Sequence, residues 1–80
     1  MKILGVFIER IVDHVYVKGT GYFTISSMWT EDYGFETVVC QCNSDLEQYG
    51  DEVYTRWYDD RQEMLEGHRE LRDNIMDYII

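Results

Sequence analysis

Asp60-Arg61-Gln62-Glu63-Met64-Leu65-Glu66-Gly67-His68-Arg69-Glu70-Leu71-Arg72-Asp73-Asn74-Ile75-Met76-Asp77-Tyr78 is the stretch that decides the fold. Met64, His68, Leu71, Ile75 and Tyr78 recur three or four residues apart, and Leu65, Ile79 and Ile80 widen the apolar stripe they form. Arg61, Glu66, Glu70, Asp73 and Asp77 fall mostly on the opposite side, as in a helix that lies on a core. Asp60 is a good N-cap, and Glu63 three residues later completes a pair like a capping box. Arg69 and Asp73 are spaced as an i,i+4 ion pair. The pattern predicts an amphipathic helix over 60–78.

Upstream of the helix the period changes from helical to extended. Residues 14–18 and 22–29 are rich in β-formers, and Gly19-Thr20-Gly21 between them suits a tight hairpin turn. Glu31-Asp32-Tyr33-Gly34 reads as the next turn, and Phe35 to Cys42 as a strand. A polar loop from Asn43 to Asp51 leads to a short last strand over Val53–Tyr58. Residues 3–8 suit a buried strand, while Ile3, Phe7 and Ile11 leave a helix over 3–12 open. The expected class is α+β, an antiparallel sheet of three to four strands with one C-terminal amphipathic helix packed on one face.

The chain of 80 residues has room for one domain, residues 1–80, and its 45% hydrophobic content argues against disorder despite a net charge of −9. The charge is uneven. Residues 1–42 hold five acids and three bases, and residues 43–80 hold eleven acids and four bases. No basic patch exists to meet phosphates, so neither direct nucleic-acid binding nor an anionic membrane surface is expected. Glu9 and Arg10 interrupt the first apolar run, which excludes the signal-peptide reading and predicts a cytoplasmic protein.

Cys40 and Cys42 stand one residue apart, too close for an unstrained bridge, and are read as reduced thiols. With His14 and His68 they make four candidate metal ligands, but Cys-x-Cys lacks the spacing of structural zinc sites. No metal or cofactor is expected. His68, the ionisable group on the apolar stripe, is read as a core histidine rather than a general base. Gly67 beside it suggests close approach of another backbone. No glycine-rich phosphate loop, nucleophile elbow or Ser/His/Asp spacing is recognisable, so no catalytic residue is assigned.

Met1-Lys2-Ile3-Leu4-Gly5, then Ser26-Ser27-Met28-Trp29 leading to Phe35-Glu36-Thr37-Val38-Val39, then Tyr58-Asp59-Asp60 through Gly67-His68 occur in that order. Together they resemble a large group of short bacteriophage proteins of unknown function. In that group a Phe-Glu-Thr strand precedes a helix containing Gly-His. Met64 stands where the group usually has alanine, the loop at 30–34 is shorter, and Cys40 replaces a phenylalanine or similar residue. The resemblance implies a phage protein acting in a bacterial cytoplasm and carries no catalytic residues.

The expected function is therefore a small, acidic, non-catalytic accessory protein that binds and modulates a host or phage protein with a basic surface, such as a nucleic-acid-handling enzyme or an immune effector. Glu66, Glu70, Asp73 and Asp77 along the outer helix face, with Tyr54, are the candidate contact residues. A structural or self-assembling virion or replication component, as in a homodimer, and a small-ligand or metal-binding module, remain as alternatives.

Overall fold

Alternation with period two sorts the strand residues onto two faces, and one of those faces is apolar enough to seat a helix. The computed structural model describes residues 9–30, 34–43 and 49–79. It contains strands β1 (Glu9–Val17), β2 (Gly21–Thr30), β3 (Gly34–Cys42) and β4 (Tyr49–Tyr58), followed by helices α1 (Arg61–Asp73) and α2 (Met76–Ile79). The strands form one antiparallel sheet in the order β1-β2-β3-β4. The helix packs on one face of it, which makes the fold α+β.

The β1–β2 turn closes with Thr20 N donating to Val17 O at 3.0 Å. It needs its glycines, because Gly19 and Gly21 sit at φ +85° and +127°, where side chains are disfavoured. Asp60 caps α1 by accepting from Glu63 N at 2.8 Å. Met64, Gly67, His68 and Leu71 are the buried residues of that helix. Leu71 and Ile75 join Val17, Phe23, Ile25 and Val39 in the core, with Val15, Tyr54, Tyr78 and Ile79 packed against it.

Three boundaries and one ion pair differ from the sequence reading. The helix is not continuous over 60–78. It ends at Asn74, whose backbone leaves helical values (φ −130°, ψ 37°), and a short turn of helix resumes at Met76. An asparagine competes for backbone hydrogen bonds, and here its Nδ2 donates to Glu70 O at 3.3 Å. Strand β1 begins at Glu9, not near His14, because Ile11, Asp13, Val15 and Val17 alternate on the helix-facing side. Residues 9–12 are therefore strand, and the alternatives for 3–8 lie outside the described residues. Strand β4 begins at Tyr49, so the expected 43–51 loop is shorter than predicted. Register shifts at Val39/Cys40 and Cys40/Cys42 absorb the irregularity, and Gly50 lets the chain pass close to Gln41, where an added Cβ would lie 3.1 Å from its carbonyl oxygen. Finally, Asp73 accepts from its neighbour Arg72 at 3.0 Å rather than from Arg69 one turn back. Residues 31–33 of the second predicted turn lie outside the described residues.

Leu71 is fully buried against the sheet. Leu71→Ala should cost about 2–4 kcal/mol through lost burial and a residual cavity. Chemical denaturation checks this, and a change below about 0.5 kcal/mol would mean the stripe does not face a core.

Candidate functional site

Polar residues at core-facing positions need partners, and the chain supplies them in one connected array. His68, 4% exposed, enters the sheet from α1. Its Nδ1 lies 2.5 Å from Ser27 Oγ on β2, and its Nε2 lies 2.7 Å from Asp13 Oδ2 on β1. Ser27 Oγ is also 2.5 Å from Thr37 Oγ1 on β3, which accepts from the Tyr58 hydroxyl at the end of β4 at 2.9 Å. One histidine thus links the helix to all four strands.

One assignment of hydrogens satisfies the whole array for a neutral ring beside a carboxylate. With Asp13 a carboxylate and the ring neutral, Asp13 can only accept, so Nε2 carries the hydrogen. Nδ1 then accepts from Ser27, Ser27 accepts from Thr37, and Thr37 accepts from Tyr58. Each hydroxyl donates once, in the direction Tyr58 to Thr37 to Ser27 to His68 to Asp13. Among the described residues no buried side-chain nitrogen or oxygen lacks a partner. Arg72 adds a charge 3.9 Å from Asp13. Its guanidinium pKa is pushed up, first by the hydrogen bond to Asp73 and less by Asp13.

Asp13, His68 and Ser27 have the connectivity of a nucleophilic triad. Access decides against that use. Ser27 is 0% exposed, and its oxygen is enclosed by Thr37 and His68. An attacking oxygen must meet a substrate carbon, and none can approach in this arrangement.

Gly67 has a different cause from the one expected. The neighbour is not a backbone but the Tyr58 ring, against which an added Cβ would lie within 2.3–2.6 Å. Glycine admits the ring, and the ring carries the hydroxyl that bonds Thr37. Ser27, Thr37, Tyr58, Gly67 and His68 come from separate segments of the sequence, and the fold brings them to one place. Sequence reading missed Asp13, Ser27 and Thr37 as a group. The available signal was phase: each is polar where its strand's alternation puts apolar residues, as in Phe23, Ile25, Ser27 and Trp29.

The acidic residues do not form a single line. Glu66 and Glu70 join Glu63 and Gly67 along an open cleft of about 300 Å³, whose other wall is residues 56–58 of β4. Asp73 and Asp77 lie across the helix, in a groove beside Val15, Tyr16 and Val17 of β1 and the following Lys18. β1 and β4 are opposite edges of the sheet, so the four carboxylates divide between two flanks. Glu70 is 3.8 Å from Arg56, and Glu66 accepts from Gln62 at 3.2 Å. Tyr54 is half-buried and packs edge-on against Tyr78, 5.3 Å between ring centroids, whereas neighbouring Trp57 is 64% exposed. Cys40 and Cys42 are free. Burial, and then the charge of Glu52, push the Cys40 thiol pKa up.

No family model, no curated protein and no solved structure matches the chain. No described helix is long and apolar enough to cross a membrane.

Gly67→Ala should destabilise the fold by more than about 1 kcal/mol, although alanine is intrinsically the better helix former by about that amount. In a Tyr58→Ala background the same change should become neutral or stabilising. A cost that persists without the Tyr58 ring would refute the packing account, and a denaturant double-mutant cycle reads it directly. Cys40, with its raised pKa, should be alkylated more slowly in the native chain than in the unfolded chain near pH 8, because less of it is thiolate. Equal rates would contradict that assignment.

Proposed function

We propose that the chain is a non-catalytic phage-type accessory protein of the bacterial cytoplasm that binds and modulates a host or phage protein with a basic surface. The cleft between α1 and β4 carries this reading. Glu63, Glu66 and Glu70 line one side of it, and Arg56 is the only cation among the described residues of its lining. Carboxylates fixed on a capped helix can meet Lys or Arg side chains in the way a phosphate backbone does, and the −9 charge of the chain accelerates encounter with a basic partner. A nucleic-acid-handling enzyme or an immune effector offers a groove of that charge. The enclosure of Ser27 supports the non-catalytic part of the reading, since the array that could have served chemistry instead holds the helix in place.

The division of the acids between two flanks refines the contact surface. Glu66 and Glu70 act together beside β4, and Asp73 and Asp77 are separate from them. Glu66→Lys/Glu70→Lys should abolish capture of basic proteins from bacterial lysate while circular dichroism stays native, and capture by the unaltered chain should weaken as salt rises. Recovery of the same partners, equally strongly in low and high salt, would reduce the acidic flank to a solvated surface.

A further inference from the structure

The helices cover one face of the sheet, and no described residue covers the other. That bare face has an order to it. The register sets Arg10, Met28, Glu36 and Trp57 side by side across the four strands. Two pairings further along, His14, Thr24, Cys40 and Glu52 form a parallel row. Val12 and Val38 lie in the row between. Side-chain contacts fix these residues on the same side: Arg10 Nε donates to Ser26 Oγ at 3.1 Å, His14 Nδ1 lies 3.1 Å from Thr24 Oγ1, and Thr55 donates to Glu52. Met28, Val38 and Cys40 line a shallow apolar hollow with Arg10, Thr24 and Ser26. Val12, Tyr16 and Trp57 stand exposed on this face or at its rim.

We propose that this face is the interface of a homodimer, in which two copies pack sheet against sheet about a twofold axis parallel to the strands, between β2 and β3. The argument is complementarity. The bases of the face, Arg10 and His14, are on β1, and its acids, Glu36 and Glu52, are on β3 and β4. A half-turn about that axis lays β1 of one copy over β4 of the other and keeps each row opposite itself. Arg10 then meets the ring of the second copy's Trp57, and His14 meets its Glu52. At the centre Met28 stands over the second copy's Glu36, and Val38 over its Ser26. The Arg10–Trp57 cation–π contact and the His14–Glu52 contact therefore form twice, as a self-complementary interface requires.

Charge and size favour a second copy over an unrelated partner. The chain carries −9 overall, yet Arg10, Glu36 and Glu52 leave this face nearly balanced, and Glu66, Glu70, Asp73 and Asp77 on the helices point away from it. Strands of nine or ten residues, at about 3.4 Å per residue and about 4.8 Å between strands, present roughly 600 Å² in projection. Side-chain relief brings that close to the about 800 Å² per partner of an ordinary stable interface. Aligned sheets about 10 Å apart, crossing at about 30°, are a standard packing.

Sedimentation equilibrium of the full chain should give twice the chain mass in the micromolar range. Trp57→Arg should weaken association at least tenfold, as expected for an aromatic anchor. Glu52→Lys should also weaken it, and adding His14→Asp to the same chain should restore it, because both crossed contacts are then rebuilt with reversed sign. Glu66→Lys/Glu70→Lys should leave association unchanged, which separates this surface from the acidic cleft. A chain that remains monomeric up to about 1 mM overturns the proposal. So does a dimer that Glu52→Lys weakens and His14→Asp does not restore.

Discussion

His68 is held from both sides of its ring, by Ser27 through Nδ1 and by Asp13 through Nε2. Placing an imidazole in a core costs several kcal/mol unless both nitrogens are satisfied. That requirement fixes much else. Ser27 and Thr37 must be polar although they face the helix. Asp13 must sit on β1 within reach of α1, and Tyr58 must lie flat beside a residue without a side chain. The apolar core of Phe23, Ile25, Val39, Leu71 and Ile75 supplies much of the burial, and the histidine helps to fix the register, since a slide of one turn carries it about 5.4 Å away from both partners.

The array also separates the two sides of the molecule. Everything that fixes the helix is gathered on one face, including the cap, the apolar stripe and the hydrogen-bonded chain. The other face is left with a set of paired strands and few internal obligations beyond the Arg10–Ser26 and His14–Thr24 contacts. Most of the acidic charge goes with the helices and loops. A small acidic protein of this design has two surfaces of different character, one strongly charged and one nearly neutral and partly apolar. Trp57, on the edge strand β4, borders both.

The helix, its cap and the strand-rich character of residues 14–42 were legible in the sequence because each has a local cause: a period, a capping carboxylate, glycines at positive φ. The break at Asn74 was hidden by an apolar stripe that continues through Ile75 and Tyr78 with unchanged spacing. The early part of β4 was hidden by composition, since Tyr49-Gly50-Asp51-Glu52 is polar enough to read as loop, and pairing across a bulge is not a local property. His68 was identified as a core residue, but its partners are 41 and 55 residues away. Sequence periodicity could mark Ser27, Thr37 and Asp13 as misplaced polar residues, yet only the sheet register brings them to the same histidine. The acids could be read from the sequence, but their division between two flanks, with Glu70 and Asp73 of the same helix on opposite sides, was not visible in their spacing.

The meander order of the sheet has a kinetic consequence. Every strand pairs with its neighbour in sequence, so the sheet can assemble hairpin by hairpin with short loops to close. The bonds of His68 to Ser27 and Asp13 span 41 and 55 residues, so they join elements far apart in sequence. During folding the sheet can therefore exist with Ser27 and Thr37 still open to water, their hydroxyls hydrated rather than bonded to the histidine. Docking of α1 expels that water and seals the array in one step. The late, long-range event is polar as well as hydrophobic, so its barrier includes stripping water from a serine, a threonine, an aspartate and an imidazole together.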